Sequence, residues 1–293
     1  MASVIGVDLG GTKSALARFD RDSFTCLGQE FVPTDASRGF DAVLEDMVKL
    51  IEKHRTPDTT HIGVAVPGLV RTTDGFLLNA PNIPGAKNIA LRTILRDRLG
   101  MPIAIGNDAR CFALAEALHG AGRGKRVVIG ITMGTGVGGG IVIDGKIFTG
   151  HQGFAGEVGH MLLVPGQPPY VTDDKRGEVE QFFSGTAFGN RCKQATHPEQ
   201  YLEGEVCSFL QPQVFRELAW FCVSLSHLLD PSIIVFGGSA GRALTPHLGK
   251  IEKEMMQWIL PGTPLPEIAI ARLQDPGSLG AALLAIEQEE SRA

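Results

Sequence analysis

The sequence lacks the features that mark a membrane protein or a nucleic-acid-binding protein. No stretch of its 293 residues approaches the roughly 18 consecutive apolar residues of a membrane span. Lysine and arginine number 27 against 32 acidic residues and form no cluster, which disfavours a nucleic-acid surface. The chain starts with the strand-like stretch VIGVDL and shows no signal-peptide pattern. A cytoplasmic protein is therefore expected.

Cysteine is scarce and is not arranged in motifs. The five cysteines are scattered and no Cys-x-x-Cys occurs, so we expect reduced thiols in a cytoplasmic protein. These residues are Cys26, Cys111, Cys192, Cys207 and Cys222.

The sequence does contain a repeated plan of strand, glycine turn and strand. It occurs in SVIGVDLGGTKSALARFD and again in VVIGITMGTGVGGGIVIDG. Elsewhere, apolar residues recur at helical spacing, as from Phe40 to Ile51, and strands alternate with helices. These patterns predict an α/β protein with two related domains. The expected domains are 1–115 and 116–277, with the last helix, 278–293, returning to the first.

Three glycine-rich turns are candidates for a nucleotide site, although a Walker loop and a GxGxxG after the first strand are both absent. In DLGGTK, Gly10 and Gly11 can adopt positive φ and present backbone N–H groups to an anion. Thr12 adds a hydroxyl, Lys13 adds a charge, and Asp8 suits a Mg²⁺ ion bound through water. A hairpin without a ligand is the alternative interpretation of this turn. The other two turns, MGTGVGGG for phosphate and FGGSAG for adenine, contribute Gly134, Thr135, Gly136, Gly237 and Gly238.

Six short motifs together resemble the ROK family of sugar kinases, within the actin, Hsp70 and hexokinase-like superfamily. They are VDLGGTK, VAVPG, GNDAR, GTGVGGG, GEVGH and FGG, and the resemblance runs from residue 4 to about residue 284. It implies two ribonuclease H-like domains of the actin-like ATPase fold, with a cleft between them. It also implies ATP with Mg²⁺ and phosphoryl transfer to a sugar hydroxyl. The motifs look most similar to bacterial N-acetylglucosamine kinases, and glucokinases and fructokinases share most of the same residues.

By this resemblance, Asp108 is the catalytic base that takes the proton from the sugar hydroxyl. It follows the strand-like PIAIGN and begins a helix, and active sites of α/β proteins gather at such strand ends. The alternative interpretation is that Asp108 caps the helix at 109–119.

The resemblance also implies a set of sugar-binding residues. Glu157 and His160 of GEVGH would grip the sugar near C1 and C2, and Asn107 would bind a sugar hydroxyl. Asn82 matches the asparagine of the family's sugar loop, and Gly68 would let the backbone approach the sugar.

The stretch VTDDKRGEVE departs from the family pattern. Many members have C-x-C-G-x-x-G-C-x-E after E-x-G-H and hold a structural zinc with the three cysteines and the histidine. Here the cysteine positions hold Val171, Asp173 and Glu178, and valine cannot bind zinc. We therefore expect no structural zinc. Glu180 matches the family's final glutamate and is expected to close on the sugar.

The leading hypothesis is an ATP-dependent kinase of the 6-hydroxyl of N-acetylglucosamine or glucose. A fructokinase, an N-acetylmannosamine kinase and a non-catalytic sugar-binding or regulatory protein are the alternatives. Repressors of the family carry an extra helix-turn-helix domain, for which there is no room before residue 8. The expected partners are a sugar and ATP, without nucleic acid or membrane. The sequence leaves open which sugar is used and whether the chain forms a homodimer.

Overall fold

The computed structural model describes residues 2–202 and 205–290 and shows a mixed α/β protein, which confirms the predicted class. The chain divides into two compact units. Unit 1 contains the described residues up to Ala115, the segment Lys146–Ala155 and the described residues from Leu273 onward. Unit 2 contains Glu116–Gly145 and Gly156–Arg272.

Unit 1 is built around a five-stranded mixed sheet. The first eight strands of the chain, which belong to this sheet and to a smaller one, are β1 (Ser3–Leu9), β2 (Lys13–Asp20), β3 (Cys26–Pro33), β4 (Thr59–Val66), β5 (Leu69–Arg71), β6 (Phe76–Asn79), β7 (Lys87–Ile89) and β8 (Ile103–Asn107). The main sheet has the order β3-β2-β1-β4-β8, and β5, β6 and β7 form a smaller sheet. β1 is antiparallel to β2 and parallel to β4, which is parallel to β8. The carboxyl ends of β1, β4 and β8 therefore lie at one edge of the sheet.

Three helices lie in the first part of the described chain. They are α1 (Phe40–His54), α2 (Leu91–Leu99) and α3 (Asp108–His119). α1 buries a stripe that includes Val43, Met47 and Ile51, because these positions recur on one helical face. α2 ends at Gly100, whose φ of 64° closes the helix in the left-handed conformation that glycine accepts most readily. The chain passes from unit 1 to unit 2 within α3.

Unit 2 repeats the strand pairing of unit 1. Its strands are β9 (Val127–Met133), β10 (Val137–Ile143), β12 (Ile233–Gly237) and β13 (Glu267–Ile270), and the short β11 (Lys146–Ile147) belongs to the segment of unit 1 that follows β10. β9 is antiparallel to β10 and parallel to β12, which is parallel to β13. The repeat predicted from the two glycine hairpins is thus present in the strands.

Six helices of unit 2 surround this sheet or lie in its loops. They are α4 (Val179–Phe183), α5 (Gly185–Arg191), α6 (Pro198–Leu202), α7 (Gln211–Leu229), α8 (Gly238–Arg242) and α9 (Leu248–Trp258). α7 buries Leu218, Phe221 and Cys222 in a core shared with β9 and β12. Within the described residues, no helix combines the length and the apolar character that a membrane crossing requires.

The last helix, α10 (Pro276–Glu290), belongs to unit 1. It lies in direct backbone contact with the sheet, because glycines face it. A Cβ at Gly6 of β1 would overlap the Ser278 carbonyl, and a Cβ at Gly63 of β4 would overlap the Ala281 carbonyl. These two glycines are therefore required by close packing rather than by backbone conformation.

Residues 146–155 also lie in unit 1, whereas the predicted boundary places them in the second domain. The Ile147 backbone N–H donates to Glu287 of α10 (3.1 Å), and the Arg110 guanidinium donates to the Gly153 carbonyl (2.6 Å). Arg110 is only 1% exposed, so this buried cation fixes the returning segment. Motifs read along the chain do not reveal such a return.

Cys192 and Cys207 form a disulfide, so the expectation of reduced thiols is wrong for this pair. Their Cα atoms are 6.3 Å apart, and both side chains are buried. The bond joins the end of α5 to the segment before α7, and this proximity arises only on folding. Cys26, Cys111 and Cys222 are free.

Candidate active site

The turn between β1 and β2 carries the first predicted phosphate-binding residues. Neither Gly10 nor Gly11 has a positive φ, contrary to the expectation from the sequence. Gly10 is required by space instead, since a Cβ there would overlap the Lys13 carbonyl. Thr34 holds the turn from β3: its backbone N–H donates to the Thr12 carbonyl (2.9 Å), and its hydroxyl donates to the Gly10 carbonyl (2.7 Å).

Two of the predicted binding residues flank this turn. The Lys13 ammonium lies 3.5 Å from the centroid of the Phe31 ring, in a cation–π contact that orients the exposed side chain. Asn82 is exposed and adjoins Gly11, where an added Cβ would lie 3.6 Å from the Asn82 Cβ. The predicted phosphate turn and the predicted sugar loop of unit 1 are therefore neighbours.

Asp8 lies in a cluster of three carboxylates at the carboxyl end of β1. Burial, followed by the charges of Asp108 and Asp275, raises the pKa of Asp8 from 3.8 to about 7. Its side chain is partly exposed, but its carboxylate lies against Gly277 at the start of α10, where a Cβ would overlap it. Asp275, which also accepts a hydrogen bond from the Ser278 hydroxyl (2.5 Å), was not predicted from the sequence because it is far from the motifs along the chain.

Asp108 begins α3 directly after β8, and its Oδ1 accepts a hydrogen bond from the Ala109 N–H (2.8 Å). The bond that caps the first turn comes from Asn107 instead, whose Oδ1 accepts from the Arg110 N–H (3.2 Å). The Asn107 amide also donates to the Gly68 carbonyl (3.0 Å), and the residue is 8% exposed. The capping role considered for Asp108 thus belongs to its neighbour. Sugar binding by Asn107 stays a prediction.

Gly68 follows β4 and joins the same strand edge. Its φ is 87°, and a Cβ would overlap the Asn79 carbonyl, so only glycine fits without strain. Unit 1 therefore brings Asp8, Gly68, Asn107 and Asp108 to the carboxyl ends of its three parallel strands.

The corresponding turn of unit 2, Gly134 to Gly136, is held by the start of α5. The Gly185 N–H donates to the Gly134 carbonyl (2.7 Å), and the Thr186 hydroxyl donates to the Thr135 carbonyl (2.9 Å). These two bonds tie the carbonyls of the turn to the first residues of α5.

Glu180 contacts this turn as well, which the sequence did not predict. Its Oε2 accepts a hydrogen bond from the Val137 N–H (2.8 Å), and the carboxylate leaves no room for a Cβ at Gly136. The structure therefore places Glu180 beside the predicted phosphate turn, and its predicted contact with the sugar stays a prediction.

The third glycine turn lies next to the second. Gly237 ends β12, and Gly238 begins α8 with a φ of 77°. A Cβ at Gly238 would overlap the carbonyl of Met133, the residue before Gly134. The predicted adenine turn and the predicted phosphate turn of unit 2 are thus in backbone contact.

The GEVGH motif forms a short 3₁₀ turn over Val158–His160. The His160 N–H donates to the Glu157 carbonyl (3.2 Å). A Cβ at Gly159 would overlap the Val137 carbonyl, so the turn lies directly on the start of β10. The glycine thus brings Glu157 and His160 close to the phosphate turn of the same unit.

His160 has an acidic partner in the stretch that departs from the zinc pattern. Its Nδ1 lies 3.2 Å from Glu178 Oε2, and Arg176 Nη1 lies 3.0 Å from the same oxygen. Val171 and Asp173, at the other two cysteine positions, are exposed. Across the described residues, no group of three His, Cys, Asp or Glu side chains is arranged to hold a metal ion. The absence of zinc in the protein stays a prediction.

The chain matches the model of the ROK family over residues 4–288. It is 36% identical over 242 residues to an N-acetyl-D-glucosamine kinase of Erwinia tasmaniensis, covering 76% of this chain and 79% of that protein. The ROK hexokinase of Thermus thermophilus is 30% identical, with a TM-score of 0.86 over 99% of both chains. A ROK family glucokinase of Streptomyces griseus, solved with glucose and AMPPNP, is also 30% identical, with a TM-score of 0.77 over 98% of this chain and 100% of that chain. The protein therefore belongs to the ROK family and has the actin-like ATPase fold that its motifs predict.

Proposed function

We propose that the protein is an ATP-dependent kinase that phosphorylates the 6-hydroxyl of N-acetylglucosamine or glucose. The observation that carries the proposal is the placement of Asp108 at the end of β8, beside Asp8 and the glycine turn, in a chain of this family. The names of the relatives support a sugar acceptor, and the glucokinase bound to glucose and AMPPNP supports ATP as the donor.

Asp108 acts as the general base. It accepts the proton of the sugar hydroxyl as that oxygen attacks the γ-phosphorus, and the bond to the ADP oxygen breaks. The bond that caps α3 comes from Asn107, so capping does not compete with the role of Asp108 as a base. Phosphoryl transfer requires positioning and charge stabilisation more than covalent chemistry, which suits a site built from glycine turns and carboxylates.

The Asp8 carboxylate at the end of β1 fits a magnesium ion bound through water, which does not require a group of three acids. Mg²⁺ binds proteins through one or two carboxylates and keeps water and phosphate oxygens as its remaining ligands. Burial and the charges of Asp108 and Asp275 raise the pKa of Asp8 to about 7. Asp8 would hold the ion through water, and the positive charge of the ion would offset the repulsion among these carboxylates. Bound there, the ion would neutralise phosphate charge.

The remaining predicted residues divide into nucleotide and sugar contacts. The glycine turns present backbone N–H groups to the phosphates and adenine, and Lys13 adds a positive charge. Hydroxyl and amide partners hold the sugar by hydrogen bonds. The proposed sugar contacts are Gly68, Asn82, Asn107, Glu157, His160 and Glu180. The proposed nucleotide contacts are Gly10, Gly11, Thr12, Lys13, Gly134, Thr135, Gly136, Gly237 and Gly238.

A kinetic panel tests this function. ADP formation is measured with ATP and Mg²⁺ over glucose, N-acetylglucosamine, N-acetylmannosamine, mannose and fructose. The highest kcat/KM is expected for N-acetylglucosamine or glucose, with the phosphate on O6 of the product. A preference for fructose or N-acetylmannosamine would favour the related kinases. Sugar binding by calorimetry without ADP formation would show a non-catalytic sugar-binding protein.

A further inference from the structure

We propose that Glu178 is a positioning residue that fixes the tautomer and the orientation of the His160 imidazole. In this arrangement Nδ1 carries the proton and donates a hydrogen bond to Glu178. Nε2 is then free to accept a hydrogen bond from a sugar hydroxyl. The inference rests on the proposed role of His160 as a sugar ligand.

The geometry gives the two side chains unequal environments. Glu178 is 4% exposed and His160 is 52% exposed, with 3.2 Å between Oε2 and Nδ1. The buried carboxylate therefore acts as the fixed partner, and the exposed ring is the group it orients. An imidazole nitrogen facing a carboxylate oxygen at this distance is the donor, so the neutral ring carries its proton on Nδ1.

Hydrogen bonds of the neighbouring residues hold Glu178 in place. It is the N-cap of α4 and forms a capping box, in which its side chain accepts from the Gln181 N–H. The Gln181 side chain in turn accepts from the Glu178 N–H (3.2 Å) and the Gly177 N–H (2.7 Å). The Val179 N–H donates to the Met161 carbonyl (2.9 Å), next to His160. The carboxylate and the ring are thus tied to the same backbone frame.

Arg176 balances the charge of the buried carboxylate. Its Nη1 lies 3.0 Å from Glu178 Oε2, and its Nη2 lies 2.7 Å from Asp174 Oδ2. A buried carboxylate is costly without a charged or hydrogen-bonding partner. The guanidinium therefore gives the buried Glu178 carboxylate a charged partner beside the imidazole.

The chemical consequence is a defined hydrogen-bonding face toward the ligand. A neutral imidazole without a fixed partner exchanges between two tautomers, and only one of them offers an acceptor at Nε2. A carboxylate behind a functional histidine removes this ambiguity by fixing the tautomer and the ring orientation. Sugar hydroxyls are hydrogen-bond donors that such a nitrogen can accept.

The test is a double-mutant cycle on sugar binding, measured by calorimetry with glucose and with N-acetylglucosamine. Glu178→Gln keeps an oxygen for the capping box and removes the charge behind His160. We expect its Kd for the sugar to rise on the order of tenfold, with a much smaller change in kcat. In the His160→Ala background, Glu178→Gln should have no further effect on Kd. Asp173→Asn, an exposed acid of the same stretch, is the matched control and should bind like the wild type.

The outcomes separate this inference from the proposed function. If His160→Ala weakens sugar binding and Glu178→Gln does not, the positioning role is overturned and the kinase proposal stands. An equal loss from Glu178→Gln with and without His160 would show a general loop effect and would also overturn it. If His160→Ala binds sugar normally, both the positioning role and the proposed sugar contact of His160 fail.

A spectroscopic measurement on the wild type does not depend on how the variants fold. Long-range proton–nitrogen correlation spectra distinguish the two neutral tautomers, and the His160 signals are assigned by their loss in His160→Gln. Protonation at Nδ1 in the neutral ring is expected. A ring protonated at Nε2 would overturn the inference.

Discussion

The two units share one strand plan but carry different chemistry at their hairpin turns. In unit 1 the residue two positions before the first turn glycine is Asp8, and in unit 2 the equivalent residue is Thr132. Burial, followed by the charges of Asp108 and Asp275, raises the pKa of Asp8 to about 7. The turn of unit 2 contains no acid, and Glu180, from a distant segment, bonds to its backbone. The strand plan therefore only places the turns, and side chains from other segments decide what each turn can bind.

The largest effect on stability is expected where β1 of unit 1 packs against α10. Gly6→Ala would place a Cβ on the Ser278 carbonyl, so either the helix or the strand must move. We expect a loss of about 3 kcal/mol in the free energy of unfolding, measured by urea denaturation. Gly28→Ala is the control, because nothing lies within 4 Å of its added Cβ. Equal stability of the two variants would show that α10 does not pack as described.

Asp8, the acid that distinguishes unit 1 from unit 2, should make the stability of the protein depend on pH. The folded-state pKa of Asp8 is raised from 3.8 to about 7, so its stabilising contribution is complete below pH 3.8 and is lost as the pH rises through about 7. Asp8→Asn removes this loss. Relative to the wild type, the variant should gain on the order of 2 kcal/mol between pH 5 and pH 8 in magnesium-free buffer.

Thermal and urea denaturation at the two pH values measure this gain. The same stability difference between variant and wild type at pH 5 and pH 8 would contradict the raised pKa of Asp8.

A smaller effect is expected at the start of α3. Asn107→Ala removes the cap and the hydrogen bond to the Gly68 carbonyl, which should cost about 1–2 kcal/mol. Asp108→Ala should cost less stability than Asn107→Ala, because it removes no cap bond and relieves the repulsion with Asp8. Denaturation of both variants under the same conditions gives the comparison. The reverse order would return the capping role to Asp108.

The sequence predicted the local features of both units. The glycine hairpins and the helical spacing from Phe40 to Ile51 depend on neighbouring residues, so the sequence shows their patterns. The sequence offers Asp108 as a possible cap, whereas the structure gives the cap to Asn107, because adjacent polar residues suit this position equally. Asp275 escaped prediction because it meets Asp8 only through the fold.

In unit 2, too, the contacts that the sequence does not show are those between segments far apart along the chain. The sequence shows that the stretch 171–180 lacks the family's cysteines, but its contact with His160 depends on two segments meeting in the fold. The disulfide between Cys192 and Cys207 is a further pairing that no spacing rule indicates.

The smallest effect is expected from metal removal in unit 2. Because Glu178 contacts His160 and valine occupies one cysteine position, the protein should contain no stoichiometric zinc. Incubation with a chelator should change the melting temperature by less than about 1 °C. Elemental analysis of protein purified in metal-free buffer is the direct check. One zinc per chain, lost on chelation together with stability, would show that this loop still holds a metal.

The central claim is that Asp108 of unit 1 is the base of a sugar kinase, and the turnover number of Asp108→Asn tests it most directly. The amide has nearly the same shape but is a far weaker base. We predict a kcat lower by roughly 10²–10⁴-fold with the preferred sugar at saturating ATP and Mg²⁺. The sugar Kd from calorimetry should change by less than about threefold, since less than about 0.6 kcal/mol of binding is at stake. A variant that keeps the kcat of the wild type while binding the same sugar would contradict the claim.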